Sequence, residues 1–455
     1  MNQDFHFHKF GIFLLFFSMI LLPGSILGQT PWSLEDCINY ALDNNLQLKR
    51  QELVAESSRA NLFQSKMQLL PNVGGFAQHN FSSGKTVNLE DYTYVQQKFQ
   101  DGNLGAQASV DLFNGLQQTN IIKRNKYNFL ATIAEVDKAK NEMIIDISLA
   151  YMTILFNEEL YEIAEAQLEA IQNQVERTSK FVEVGSRPQG DLLDIKSQAA
   201  AERLNLTTVG NQLKTSYLDL TQLLDLDSVG DFRIQKPSRT EIELESMVIP
   251  LSEVYGYAVS NFPEIKGAEY SLLREKKNLA VARGQRSPRI YVRGLIYSRY
   301  SQLGRDPLDP DNPYPYSDQL RDNQYQQLSF NLNIPIFQQW VIQNSISNAK
   351  ISLMDAELNL DQQKQILYKS IQQTHLDAVA ALERYRTSLE VVASRQMAFD
   401  YSEEKLNAGL ENSTDYNIAK NNLIKAQAEL LQAKYEYIFT SKILDFYRGI
   451  PISME

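Results

Sequence analysis

The sequence predicts a mixed α and β chain made of two copies of one plan, each holding a β-hairpin and a pair of very long helices. Three observations carry this. Matching residues recur at a fixed spacing along the chain. Two stretches in each copy alternate apolar and polar with period two. The helical stretches repeat apolar residues at strict sevens, over more turns than an ordinary globular helix uses.

Composition narrows the function classes first. The 455 residues carry 44 Lys+Arg against 55 Asp+Glu, a net charge of −11. That balance lacks the basic surface of a nucleic-acid binder. A mean hydropathy of −0.34 excludes a polytopic helical membrane protein. Aromatics at 10%, with 23 Tyr, exclude a disordered acidic chain. Cys37 is the only cysteine, so no intrachain disulfide and no thiolate cluster can form. Phe10 to Leu22 is an apolar run after Lys9 and before Pro23, Gly24 and Ser25. It is too short to cross a bilayer of about 30 Å and reads as a secretory signal over 1–28. The mature chain would begin at Gln29, with Cys37 too far along for acylation. The protein is exported.

The duplication then sets the organisation. Tyr40-Ala41 is matched by Tyr257-Ala258, Asn61-Leu62 by Asn278-Leu279 and Pro71 by Pro288, all at a spacing of 217. Further on the spacing becomes 224, pairing Leu112-Phe113 with Ile336-Phe337, Gly185 with Gly409, Asp191 with Asp415 and Lys196 with Lys420. The added residues fall in the Pro-, Asp- and Tyr-rich stretch between Pro288 and Ile336, as expected of an exposed loop. Two repeats are expected at 29–227 and 250–455, with 228–249 as connector.

Each repeat opens with a helix-period stretch, Ser33 to Gln68 and Leu251 to Arg286. The period then changes to two. Leu104, Ala106, Ala108, Val110 and Leu112 alternate with polar or small residues, as do Leu328, Phe330, Leu332, Ile334 and Ile336. Ile290 to Tyr297 and the weaker Val73 to Phe81 complete four strands of about ten residues, paired through loops near 84–101 and 301–325. About 9–11 alternating residues suit a tilted transmembrane strand, although a half-buried sheet on a soluble core shows the same alternation. After each hairpin Ile147, Ile154, Tyr161, Leu168, Val175 and Val182 mark one heptad series. Leu192 to Leu220 and Tyr416 to Leu444 mark two more. From Leu116 to Val184 there is no Pro or Gly, giving a helix on the order of 100 Å long. Short turns at Gly185 and Gly409 fold each long helix back as an antiparallel hairpin.

Four strands cannot close a barrel, and an open edge in lipid leaves unpaired backbone groups. Transmembrane strands would therefore have to be shared between chains. With this order of elements, the prolines at helix-to-strand passages (Pro71, Pro288) and the glycine turns followed by Asp (Gly185/Asp191, Gly409/Asp415), the sequence resembles the TolC-like outer membrane factor family of Gram-negative bacteria. The resemblance implies a homotrimer whose twelve-stranded outer membrane barrel continues into a helical periplasmic tunnel. It also implies a passive exit duct, docked through a periplasmic adaptor to an inner-membrane transporter, with no cofactor.

The resemblance further implies docking at the turns Gly185 and Gly409, with Ser413 and Thr414 beside the second. Asp415 would line the periplasmic aperture. Glu411 stands where an Arg clamp can occur and Ile418 where a second acid can, so Arg187, Asp191 and Asp194 of the first repeat are candidates to share the gate. Helix capping by Ser413 or Thr414, with Asp415 in the first turn, accounts for the same residues. Asp191 and Asp194 share a helix face and could hold a cation weakly, or form a plain acidic first turn. Phe337 and Trp340 fit an interfacial aromatic girdle or packing at a helix start. His79 and His375 stand far apart, and no hydrolase, metal or nucleotide motif is present. A secreted coiled-coil scaffold or adhesin is the competing class.

Overall fold

The computed structural model describes residues 31–87, 92–226, 230, 232–237, 248–306, 308–309 and 311–453. The expected signal segment and most of the connector lie outside them. Two short helices, α1 (Leu34–Asn44) and α2 (Leu46–Met67), lead into strands β1 (Asn72–Val87) and β2 (Tyr94–Phe113). Helices α3 (Gln117–Glu183) and α4 (Gln189–Leu223) complete the first half. The second half runs α5 (Leu251–Asn261), α6 (Pro263–Gly284), β3 (Arg289–Ser301), α7 (Tyr316–Asp322), β4 (Gln324–Asn333), α8 (Val341–Asn407) and α9 (Ser413–Tyr447). Paired helices have equal lengths: 11 residues for α1 and α5, 22 for α2 and α6, 67 for α3 and α8, 35 for α4 and α9. The duplication read in the sequence is a duplication of structure.

Local chemistry explains the breaks. The stretch Ser33 to Gln68 is two helices because Asn45 interrupts it. Its buried side chain accepts from the amides of Gln47 (2.9 Å) and Leu48 (3.2 Å) and donates to the Leu223 carbonyl (3.1 Å). In the second repeat Pro263 at the first helical position makes the same break. Ser33 and Asp36 form a reciprocal capping box on α1.

All four strands form one antiparallel sheet in the order β1-β2-β3-β4. The two hairpins are thus joined through β2 and β3. The expected length of about ten residues suits β4 but not the first repeat, where β1 has 16 residues and β2 has 20. Most of the expected 84–101 loop is strand. The added segments are polar on both faces (Ser82, Ser83, Lys98), so their pairing leaves no alternation to read. The 301–325 connection contains α7.

Packing is deepest midway along the molecule. Leu34, Cys37 and Ala41 of α1 meet Ile147, Tyr151 and Ile154 of α3, Leu220 of α4 and Leu431 of α9. Val254, Ala258 and Ile265 pack with Ile371, Ala378 and Leu444 in the second repeat. Full burial of such side chains contributes about 1.5–3 kcal/mol each. The predicted α3 seam holds at Ile147 and Ile154, whereas Tyr161, Leu168, Val175 and Val182 are only half-buried. Beyond Ile154 the buried series is Asn157, Ala164, Ile171 and Thr178. The seam therefore shifts once, by three residues after Ile154, and then keeps its sevenfold spacing, as α3 passes from one set of partner helices to another.

Candidate functional site

Register divides the sheet into two chemically distinct faces. Val110, Val292 and Phe330 lie opposite one another on one face, with Ala108, Gly294 and Leu328 as the next row. Phe330, Leu332 and Leu328 are 73%, 61% and 66% exposed. The other face carries Gln107, Ser109, Asp111, Arg289, Tyr291, Arg293, Ser329 and Asn331. There the Arg289 guanidinium donates to Asp111 Oδ1 at 2.8 and 3.0 Å, and Arg293 donates to Gln107 at 2.5 Å. One face suits hydrocarbon and the other water.

The strands pass into the long helices through a repeated left-handed step. Gly115 and Leu116 precede α3 at φ 67° and 60°, and Gln339 and Trp340 precede α8 at 48° and 67°. Trp340 is the residue at which α8 begins, and it and Phe337 are 69% and 77% exposed. They are not core packing at a helix start. Both lie in the passage between the end of β4 and the start of α8.

At the far ends of α3 and α8, on the order of 100 Å away, the two turns have the same backbone. Gly185 and Gly409 adopt φ 77° and 72°. The Ser186 amide bonds the Phe181 carbonyl at 2.9 Å, and the Leu410 amide bonds that of Lys405 at 2.9 Å. Both are Schellman closures, which require a left-handed residue at that position. Nothing lies within 4 Å of a built Cβ at either glycine, so conformation and not space dictates the residue.

The caps beyond the turns differ. Asn412 caps α9, its Oδ1 accepting from the amides of Thr414 and Asp415 at 2.9 Å each. This corrects the expected cap at Ser413 or Thr414, both already within the helix. The exposed Asp415 carboxylate accepts from Asn412 Nδ2 at 2.8 Å, so Asp415 serves the cap and faces solvent together. Glu411 accepts from the buried Ser402 hydroxyl at 2.6 Å and ties the turn to α8. In the first repeat Pro188 precedes α4 without a side-chain cap, and Arg187 pairs with Asp191 at 3.8 Å. Asp194 is exposed. Among the described residues no hydrogen bond or ion pair joins one turn to the other, and no group of acidic, His and Cys side chains could hold a metal ion.

One link between the two helical hairpins leaves no mark in the sequence. Lys420 of α9 is buried and pairs with Glu202 of α4 at 3.3 Å. Its repeat mate Lys196 is exposed. Cys37 is fully buried, and burial, with Asp36 beside it, pushes its thiol up to about 12. A thiol held neutral and out of contact with solvent is a poor nucleophile.

An exposed apolar sheet face on two equal sets of very long helices is a particular combination. The model of the family described as "Outer membrane efflux protein" matches residues 37–225 and 254–448. The chain belongs to the outer membrane efflux protein family. Its relatives in that family include the outer membrane efflux protein BepC of Brucella suis, 22% identical over 93% of this chain and 88% of BepC. TolC of Escherichia coli K12 is 20% identical over 87% of this chain and 78% of TolC. Among solved structures, the Campylobacter jejuni CmeC outer membrane channel superposes with a TM-score of 0.77 at 18% identity, covering 92% of this chain and 86% of CmeC. VceC of Vibrio cholerae gives 0.75 at 16% identity over 91% and 94%. As an outer membrane efflux protein the chain is a channel component of the outer membrane that extends into the periplasm. The scaffold or adhesin alternative falls with that assignment.

Proposed function

We propose that three copies of this chain share one twelve-stranded barrel and form a passive exit duct. The duct would dock through a periplasmic adaptor to an inner-membrane transporter. The carrying observation is the four-stranded sheet whose outer strands β1 and β4 each have one free edge. Unpaired backbone groups in hydrocarbon cost several kcal/mol each, so edge-to-edge closure with further copies is the physical remedy. Three copies supply twelve strands. The face bearing Phe330 and Leu332 then meets lipid, the face bearing Asp111, Arg289 and Arg293 lines water, and Phe337 and Trp340 sit at the periplasmic interface.

In this reading the turns at Gly185 and Gly409, with Ser413 and Thr414, meet the adaptor. Asp415 forms the aperture ring, supported by Asp191, Asp194 and Arg187. The exposure of Asp415 supports that role, and at the first turn Arg187 lies close enough to Asp191 to offset its charge. Native mass spectrometry in mild detergent tests the assembly. A homotrimer is expected; a stable monomer or dimer with its strands intact overturns the shared barrel.

A further inference from the structure

The connection between β3 and β4 does not stand free at the end of the sheet. Ser298 donates its hydroxyl to the Leu320 carbonyl at 2.6 Å, so α7 lies on the side of β3 to which Ser298 points. Tyr316 of α7 packs edge-on against Tyr300 at 4.7 Å, and Tyr300 stacks on His79 of β1. Gln319, only 2% exposed, fixes the arrangement. It accepts from the Ser301 amide at 2.9 Å and donates to the carbonyls of Ser301 (3.0 Å) and Tyr314 (2.7 Å).

Period two decides which side this is. Ser298 and Tyr300 share a face with Ile296, Val292 and Ile290, and register places them with Leu104, Phe330 and Leu332, with Gln324 and Gln326 at the end next to α7. The helix covers the apolar face and not the polar one. Ser298 stands roughly 20 Å along the barrel wall from Ile290, at about 3.3 Å per residue and a tilt near 40°. The exposed Ile334 and Ile336 follow β4 below that face and bring the uncovered apolar stretch toward the roughly 25 Å of a barrel's lipid-facing belt.

We propose that 311–323, with Leu308, forms a ledge on the lipid-facing side of the barrel and seats in the headgroup layer of the outer leaflet. The inference rests on the orientation proposed above, and its argument is continuity: the ledge begins where the apolar band ends. Leu308 is 95% exposed and Tyr316 54%, and both are offered at that level. Arg321 is held by Asp318 at 3.0 Å and Asp322 at 2.7 Å, so the ledge seats through aromatic and apolar contact and not through that cation.

Nitroxide labels read this directly in trimers reconstituted into phosphatidylcholine vesicles. Labels would be placed at Leu308→Cys and, independently, Tyr316→Cys, with Phe330→Cys and Leu410→Cys as references; the native Cys37 is buried. The ledge labels are expected to collide with a water-soluble nickel complex several-fold less often than the Leu410 label, and more often than the Phe330 label. A nickel collision rate equal to that at Leu410, with Phe330 shielded, overturns the ledge and leaves the orientation standing. Nickel access at Phe330 overturns both.

Discussion

The ammonium of Lys420 lies 3.3 Å from a carboxylate oxygen of Glu202, with the two side chains 7% and 15% exposed. The pair joins the helical hairpin of the first repeat to that of the second. Each partner keeps the other tolerable in a site that excludes water.

Removing one partner should therefore cost more than removing both. Glu202→Ala strands a buried cation, and a loss of about 3–5 kcal/mol is expected. The double variant Glu202→Leu with Lys420→Met should recover most of it. Denaturant unfolding in detergent measures the series; single losses no larger than the double loss would deny the coupling.

The two sheet faces should respond oppositely to charge. Leu332→Arg puts a cation on the apolar face at a cost of about 2–4 kcal/mol per chain near mid-bilayer. Asn331→Arg puts one on the face that already carries Arg289 and Arg293. Outer membrane levels should collapse for the first and persist for the second. An equal drop reverses the assignment of faces.

Gate and cap separate at the second turn. Asp415→Asn keeps a first-turn polar group but removes a charge from the proposed aperture. Weaker cation selectivity is expected in single-channel reversal potentials, with unchanged thermal stability. Asn412→Ala removes the cap and should cost about 1 kcal/mol while leaving the Asp415 charge in place. Unchanged selectivity in an assembled Asp415→Asn channel transfers the gate to Asp191 and Asp194.

Alkaline pH should loosen the periplasmic body. Burial raises Tyr416 from near 10.0 to about 12, and raises Cys37 from near 9.0 to about 12. Each favours its neutral form in the fold. The resulting stability is complete below the unfolded-state pKa and is lost as pH rises through the folded value, between about 9 and 12. Melting temperature should be flat from neutrality to pH 9 and fall beyond it, less steeply in Tyr416→Phe. A thiol reagent at pH 8 should modify Cys37 only on unfolding.

Much of this was legible because it is periodic. The strands of the second repeat, the long helices and the turn glycines each announce themselves by spacing or by a conformation one residue type favours. Non-local pairing was not legible. Nothing local says that β2 pairs with β3, or that Lys420 is buried while Lys196 is exposed. Asn412 was within reach, since the 224 spacing aligns it with Pro188, the other residue preceding a returning helix. Ser413 and Thr414 obscured it because both are good capping residues. The α7 ledge gave no signal, since seven residues are too few for a helical period to emerge.

The equal helix lengths act as a ruler with four marks. Deleting one heptad from α3 alone would shorten it by about 10 Å and lift one turn above its twin, leaving a ragged rim that no flat surface could meet. The same deletion made in α3, α4, α8 and α9 together would preserve the rim and shorten the duct. In the proposed duct, a change of reach that keeps the rim level would be shared by all four helices, and a partner docked to that rim would have to keep pace in the same increments.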